Sequence, residues 1–348
     1  MPTIHEVARA AGVGSGTASR ALSGNPHVTE ATRARVRAAA ERLGFRPSPI
    51  ARAFSRGRTQ TLEVVVPLIT QHFFVEVLRG IESALLNTEY ALLIRTIERR
   101  ADRHRVLRDQ DVRRRVDGAL LVSLKPTRGL VRRVTAAALP LVLVDGEQRR
   151  LPSVAVDHAA AAAAAVRHLL ELGHRRIALI DHAEDPFAPV WPDARHRGYR
   201  LALAEAGLPP RPEYERVTDW GPEAGAAAAA ELLALAEPPT AVFAGSDSQA
   251  LGVLEAARQA RRRVPEDLAV VGYNDIEVAT YLGLTTVRVP MRELGRRGVE
   301  LLLRAIEQPE APPEQVRLPA ELVIRRSSGA GTVRHRGSNA RRPLPVGH

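Results

Sequence analysis

Thr3-Ile4-His5-Glu6-Val7-Ala8-Arg9-Ala10-Ala11-Gly12-Val13, at the start of a 348-residue chain, reads as a short capped helix running into a turn. Thr3 and Glu6 make a capping box, each side chain able to satisfy the other residue's orphan amide. Ile4, Val7, Ala8 and Ala11 fall at i, i+3, i+4 and i+7 and line one face. Gly12 then permits a turn that a Cβ would disfavour. A second helix begins near Ser15, with Val13, Ala18 and Leu22 inward and Ser15, Gly16, Ser19 and Arg20 outward. Asn25-Pro26 ends it, Thr29 caps a third helix with an inner stripe of Val36, Ala40 and Leu43, and Gly44 stops that one. Three short helices with a tight first turn predict a helix-turn-helix, whose second helix enters a major groove N-terminus first, where Ser15 and Gly16 lie. Gly12, Gly14 and Gly16 have the composition of a nucleotide-binding glycine loop, but their spacing is wrong and no strand precedes them.

Charge supports a nucleic-acid partner for this module. The chain carries +11, and the excess sits at its ends: residues 1–58 hold +7, residues 325–348 hold +6, and residues 59–324 hold −2. A basic head on a nearly neutral body suits phosphate binding, which gains from counterion release, although charge alone fits a solvated basic face as well. There is no cysteine, so disulfides, thiolate catalysis and cysteine-zinc sites are excluded. Lys125 is the single lysine; the arginine bias fits heat adaptation and genome composition equally. Neither a long apolar run nor a signal-like N-terminus is visible, so the expectation is a cytoplasmic chain without a membrane partner.

Beyond the head, Ser48-Pro49 reads as an N-cap followed by a first-turn proline, and Gly57 closes a segment of residues 49–55. A helix that short does not persist alone. From residue 62, short β-rich runs alternate with helices, which predicts parallel sheets covered on both faces. The expected strands are Leu62 to Val66, Ala91 to Arg95, Ala119 to Val122, Leu141 to Val144, Ile177 to Ile180, Ala241 to Ala244 and Leu268 to Val271.

The opening run, with Thr17-Ala18-Ser19-Arg20-Ala21-Leu22, Asn25-Pro26-His27-Val28, Thr32-Arg33, Leu43-Gly44-Phe45-Arg46-Pro47 and Ile50-Ala51-Arg52, resembles the LacI/GalR repressor family. Leu172-Gly173-His174-Arg175-Arg176-Ile177, Ser246-Asp247 with Ala250-Leu251-Gly252, and Val271-Gly272-Tyr273-Asn274-Asp275 are similar to that family's sensor, so the resemblance runs from residue 3 to about 328. The tail (329–348), basic, Gly/Pro-rich and without periodicity, is expected to be disordered, while the resemblance implies an all-α helix-turn-helix headpiece (1–46), a hinge helix and linker (47–58), and an α/β two-lobed sensor of the type I periplasmic-binding-protein kind with parallel sheets (59–328). It further implies a homodimer on palindromic double-stranded operator DNA and a small-molecule effector between lobes that the chain crosses three times. A carbohydrate is the expected effector, a purine or nucleoside corepressor the alternative. No cofactor or metal is implied.

Carried over residue by residue, the resemblance puts Ser15 and Gly16 at specificity positions, Arg20 and His27 near bases or phosphates, and Thr17, Ser19 and Thr29 at the backbone, with Thr3 also in the DNA-binding set; Thr17 and Ser19 fit a helix-supporting role equally well. Ala51, Arg52 and Phe54 belong to the hinge, where Phe54 replaces the usual leucine and either wedges into the minor groove or packs on the sensor. Gly14 stands where a serine cap is usual, and Gly16 costs roughly 1 kcal/mol relative to alanine inside a helix. Direct base readout is therefore expected to be thin, leaving Arg20 and DNA shape to carry more of the discrimination. The implied effector contacts are His72, Phe73, Phe74, Asp145, Arg195, Trp220, Ser246, Asp247, Asn274 and Asp275. Acid, amide and guanidinium groups can bracket vicinal hydroxyls, and Phe74 and Trp220 can cover an apolar face. Asp247 and Asp157 also fit helix caps, and Phe73 fits a core as well as a ligand wall. Ser246 is smaller than the residue usual there, and Pro186 to Pro192 with Trp191 reads as a local elaboration. An enzyme is disfavoured because Gly245-Ser246-Asp247-Ser248 fails the nucleophile elbow and no phosphate-binding loop or His-Glu-x-x-His is present. A periplasmic solute-binding protein is disfavoured by the headpiece.

Overall fold

The structure is a computed structural model that describes residues 2–23, 25–45, 58–99, 102, 115–182 and 191–329, the side chains of 191–193 excepted. The hinge positions Ala51, Arg52 and Phe54, the stretch 183–190 and the tail beyond residue 329 lie outside it.

The head is three helices, α1 (Ile4–Ala11), α2 (Ser15–Leu22) and α3 (Glu30–Leu43). Thr3 and Glu6 form the expected capping box, Thr29 Oγ1 accepts the Thr32 amide, and Gly12 and Gly44 close α1 and α3 at φ 65° and 64°. Val7, Ala8, Ala11, Ala18, Ala21, Val36, Ala39 and Ala40 make the core, with Ile4, Val13 and Leu22 against it. The expected α3 stripe needs one correction: Leu43 is 40% exposed and Ala39 is buried instead. Val36, Ala39 and Ala40 at i, i+3 and i+4 make the buried stripe of α3, and Phe45 just past its end packs against the core.

The body contains two six-stranded sheets. The first is all parallel in the order β11-β5-β4-β3-β1-β2, comprising β1 (Thr61–Pro67), β2 (Ala91–Ile97), β3 (Gly118–Val122), β4 (Leu141–Val144), β5 (Ser153–Val156) and β11 (Gln315–Leu318). The second runs β12-β10-β9-β8-β6-β7, comprising β6 (Ile177–His182), β7 (Glu215–Thr218), β8 (Ala241–Ala244), β9 (Ala269–Asn274), β10 (Thr285–Arg288) and β12 (Glu321–Val323). Only β12 pairs antiparallel in it. Helices α4 (His72–Leu85) and α5 (Arg128–Ala136) belong to the first lobe; α6 (His158–Glu171), α7 (Trp191–Glu205), α8 (Pro222–Leu233), α9 (Asp247–Gln259) and α10 (Glu277–Leu282) to the second; and α11 (Met291–Glu307) packs back on α4, β3, β4 and β5. The chain therefore passes between lobes after β5, after β10 and between β11 and β12.

Interior strands β1, β3, β4, β6, β8 and β9 stand where the apolar runs predicted, because a parallel strand buried on both faces has no polar alternation. Strands β5, β7, β10, β11 and β12 were not anticipated. β7, β11 and β12 are partly exposed edge strands, while β10 buries Thr285 and Thr286 completely.

Several strand ends leave the ordinary backbone regions. Leu68 after β1, Ser123 after β3, Asp145 after β4 and Asn274-Asp275 at the end of β9 all have positive φ, between 45° and 105°. Left-handed backbone is uncommon for residues other than glycine and clusters where loops are tightly specified. Five of the eight such residues among the described ones lie at the C-terminal rims of the sheets, the edge at which open α/β folds bind ligands, while Gln60, Ala138 and Arg261 lie elsewhere.

Candidate DNA interface and interlobe cleft

On the head, α2 presents Gly16 and Arg20 exposed, with Ser15, Thr17 and Ser19 half-buried beside them. Gly14 caps α2 without a side-chain bond, so its first amides are open to an acceptor. Arg20 Nε donates to the Gly16 carbonyl at 3.2 Å, which lays the guanidinium back along its own helix. His27 is exposed in an Asn25 turn, its amide donating to Asn25 Oδ1 at 2.9 Å. Arg33, to which no role was assigned, donates to the carbonyls of Asn25 and Val28 and so ties the α2–α3 loop to α3. Thr3 and Thr29 are exposed, and their hydroxyls serve as caps. The Thr3 amide at 2.6 Å holds the Glu6 carboxyl below its usual range.

Between the lobes, side chains from both rims meet. Asp145, 2% exposed, follows β4; Ser123 Oγ donates to its Oδ2 at 2.8 Å. From the second lobe His158 Nε2 approaches Asp145 Oδ1 at 2.8 Å, and His158 Nδ1 stands 2.7 Å from the Tyr273 hydroxyl on β9. A carboxylate can only accept, so Nε2 carries a proton and donates to Asp145, while Nδ1 shares a hydrogen bond with the Tyr273 hydroxyl. Burial pushes the Tyr273 hydroxyl far above its usual range. A cavity of about 180 Å³ adjoins this chain, lined by Asp145, Glu147, Asp157, His158, Arg197 and Arg317 among others.

Deeper in the second lobe, Arg195 of α7 is 1% exposed. Its Nε and Nη2 donate to Asp181 Oδ1 at 3.2 and 2.9 Å, and Nη2 lies 2.7–2.8 Å from the ring nitrogens of His182. Asp181 and His182 end β6. The His182 ring stacks on Trp220 with centroids 3.4 Å apart, and the guanidinium covers the Tyr273 ring at 5.2 Å. Burial holds the Asp181 carboxyl above its usual range, partly offset by Arg195. Burial, reinforced by the neighbouring guanidinium, holds His182 well below its usual range and therefore neutral. Gly245 makes room for this arrangement, since a Cβ there would lie 2.3 Å from Asp181 Oδ1.

The expected effector set is thus divided. Asp145, Arg195 and Trp220 join these networks, while half-buried Asn274 ends β9 and His72 stands exposed at the start of α4. Phe73 and Phe74 are 5% and 1% exposed, stand edge to face at 5.2 Å and pack in the hydrophobic core. Asp247 is a correction as a helix cap. It is fully buried, its Oδ1 accepting from Thr286 Oγ1 at 2.6 Å and its Oδ2 from the Ile276 amide at 2.8 Å. Ser246 is the residue that caps α9, accepting the Gln249 amide at 3.1 Å. Asp275 is occupied by Arg288 at 2.8 Å and Arg325 at 2.7 Å. Asp157 caps α6, as expected. Sequence reasoning missed Ser123, His158, Asp181, His182 and Tyr273; the polar pair Asp181-His182 at the end of an apolar strand was the one available signal.

A helix-turn-helix head on a two-lobed body whose strand rims face each other defines a DNA-binding regulator controlled by a small molecule. Residues 3–48 match the bacterial regulatory proteins of the lacI family, and residues 166–328 match a periplasmic binding protein-like domain. The HTH-type transcriptional repressor CytR of Escherichia coli (strain K12) is 35% identical over 341 residues, spanning 94% of this chain and 96% of that one. A structure of the transcriptional regulator CelR–cellobiose complex is 33% identical with a TM-score of 0.68, covering 94% of this chain and all of the other. The lac repressor dimer bound to operator and the anti-inducer ONPF is 26% identical with a TM-score of 0.79, covering 94% and 99%. This chain belongs to the lacI family of bacterial transcriptional regulators and is not an enzyme. Among the described residues no helix is long and apolar enough to cross a membrane, and no group of three or more side chains could hold a metal ion.

Proposed function

We propose that this regulator binds a palindromic operator as a homodimer and that an uncharged sugar, taken up between the lobes, controls the binding. Arg195 carries the effector reading. Its charge is already neutralised by buried Asp181, so the site offers a hydrogen-bonding guanidinium–carboxylate pair instead of a free cation. Such a pair suits hydroxyl groups, which accept from one partner and donate to the other, and disfavours a phosphate that would meet the Asp181 carboxylate. The Trp220 indole supplies the apolar face that a sugar ring covers. Likeness to the cellobiose-bound CelR structure supports the same ligand class.

Ligand entry requires the lobes to part, since the cavity beside Asp145 is about 180 Å³, smaller than the ~300–1,000 Å³ of ordinary ligand sites. Whichever lobe arrangement the sugar prefers sets the spacing of the two heads, and with it operator affinity. On the head, Ser15, Gly16, Thr17, Ser19, Arg20, His27, Thr29 and Thr3 form the DNA-facing set, with Ala51, Arg52 and Phe54 in the hinge.

The test is selection of bound sequences from random DNA at two salt concentrations, followed by release assays on the recovered operator with cellobiose, ribose, adenosine and ribose 5-phosphate. A palindrome whose complex responds to a neutral sugar supports the proposal, and the combined variant Arg195→Met/Asp181→Asn then retains operator binding while losing the response. A response to ribose 5-phosphate and not to neutral sugars, lost in Arg195→Met/Asp181→Asn, would overturn the effector class. Salt-sensitive, sequence-blind binding would overturn the operator reading.

A further inference from the structure

Many arginines of the body stand against a carboxylate, as Arg167 does against Glu205, Arg216 against Glu231 and Arg263 against Asp267. A groove in the first lobe departs from that pattern. It is about 600 Å³ in volume and lined by Pro126, Arg128, Val131, Arg132, Gln148 and Arg150. Among the described residues none of its three arginines has a carboxylate partner, and Glu147, the acid nearest Arg150 along the chain, is taken by Arg317 Nε and Nη2 at 2.8 and 3.1 Å.

The placement of these charges is locally unfavourable. Arg128 is the first residue of α5, where the helix dipole is positive and an acid would be expected, yet the first turn contains none. Arg132 follows it at i+4, so two like charges share one helix face. Arg150 approaches from the β4–β5 connection, which is held in shape by the Arg150 amide on Gln148 Oε1 at 2.5 Å and by Gln315 on the Gln148 carbonyl at 3.2 Å. Guanidinium groups gathered this way repel one another until an anion bridges them, and their planar forks match phosphate oxygens in pairs. The groove lies at the C-terminal rim, between the loops that follow adjacent strands β3 and β4, and it shares no lining residue with the cavity beside Asp145.

We infer that Arg128, Arg132 and Arg150 form a second ligand site, separate from the interlobe cleft, that takes the phosphate of a small phosphorylated metabolite, with Val131 and Pro126 as its apolar wall. Gln148 and Arg150 belong to the loop that begins at Asp145, so an anion bound there restrains the segment carrying the contact between lobes.

Calorimetric titration of the full-length protein, with the heads occupied by operator duplex, tests this with pyrophosphate as the probe. The expected result is saturable binding, weakened at least tenfold in Arg128→Ala/Arg132→Ala. Each substitution is at an exposed position, and unchanged thermal unfolding of the variant confirms that it folds. Arg150→Ala gives an independent second variant with the same expected direction. Adenosine monophosphate and ribose 5-phosphate then separate a nucleotide from a sugar phosphate by which competes with the probe at lower concentration. Absence of saturable binding, or equal affinity in wild type and both variants, overturns the site.

Discussion

Asp145 Oδ1 and His158 Nε2 stand 2.8 Å apart, and the contact joins the two lobes: Asp145 closes β4 of the first, and His158 opens the first helix of the second. Both side chains are buried, so the bond is made where water does not compete. His158→Leu removes it together with the bond to Tyr273, leaving a buried carboxylate supported by Ser123 and a buried phenol without its imidazole partner. A loss of roughly 3 kcal/mol is expected in urea unfolding. The double-mutant cycle with Asp145→Leu should show coupling of about 1 kcal/mol or more. Additive effects would mean that the lobes are held together elsewhere.

Asp247 predicts a pH dependence. Burial pushes its carboxyl up to about 7, against 3.8 as its ordinary value, and the neighbouring Asp275 acts in the same direction. Between these values the folded chain keeps a proton that the unfolded chain has lost, so the contribution is fully present below 3.8 and is lost as pH rises through about 7. Asp247→Asn does not titrate. Wild type should therefore lose stability relative to Asp247→Asn between pH 5 and pH 8 in urea unfolding. A difference that is flat, or that moves the other way, would show Asp247 to be ionised throughout.

Gly80 and Gly295 let α4 and α11 touch backbone to backbone. A Cβ on Gly80 would lie 2.0 Å from the Arg292 carbonyl oxygen, and one on Gly295 2.1 Å from that of Val77. Backbone cannot yield as a flexible side chain does, so Gly80→Ala should cost about 3 kcal/mol or more, at the upper end of overpacking losses. Thermal unfolding measures it; a change within about 0.5 kcal/mol, the size of an ordinary surface substitution, would contradict the close approach.

Gly16 is the opposite case. A Cβ there meets only Arg20 Nη2, at 3.9 Å. Gly16→Ala should stabilise α2 by about 0.5–1 kcal/mol through backbone entropy alone. Because position 16 is exposed on the helix read as DNA-facing, the same change should alter the base preferences recovered by selection from random DNA. A stabilised head with an unaltered preference would remove Gly16 from the interface.

The head was legible because its instructions are local. Caps, a turn glycine and a helical stripe all lie within a few residues of what they direct, and the single misreading, Leu43 for Ala39, concerns which residues of α3 face the core. Six interior strands were legible as apolar runs, but the four-residue β5, Ser153–Val156, was not. β10 was not, because Thr285 and Thr286 look like surface residues until their partners are known: Thr285 Oγ1 donates to the Arg325 carbonyl and Thr286 Oγ1 to Asp247, both some forty positions away. The cleft shows the same division. Asp145 and Arg195 could be picked out by resemblance, whereas Phe73, Phe74 and Asp247 could not be told from core residues.

By itself the sequence determined the three-helix head, the alternation that makes two parallel-sheet lobes, the basic charge of the ends and membership of a repressor family. Each rests on propensity, periodicity or charge, which are properties of neighbouring residues. Only the tertiary structure decided that Asp181 neutralises Arg195, that His158 spans the lobes to Asp145, and that Arg128, Arg132 and Arg150 share one groove. Those relations are distances of a few ångströms between residues far apart in the chain or on separate elements, and electrostatic and hydrogen-bond energies depend on such distances and on burial, neither of which is written in the order of the residues.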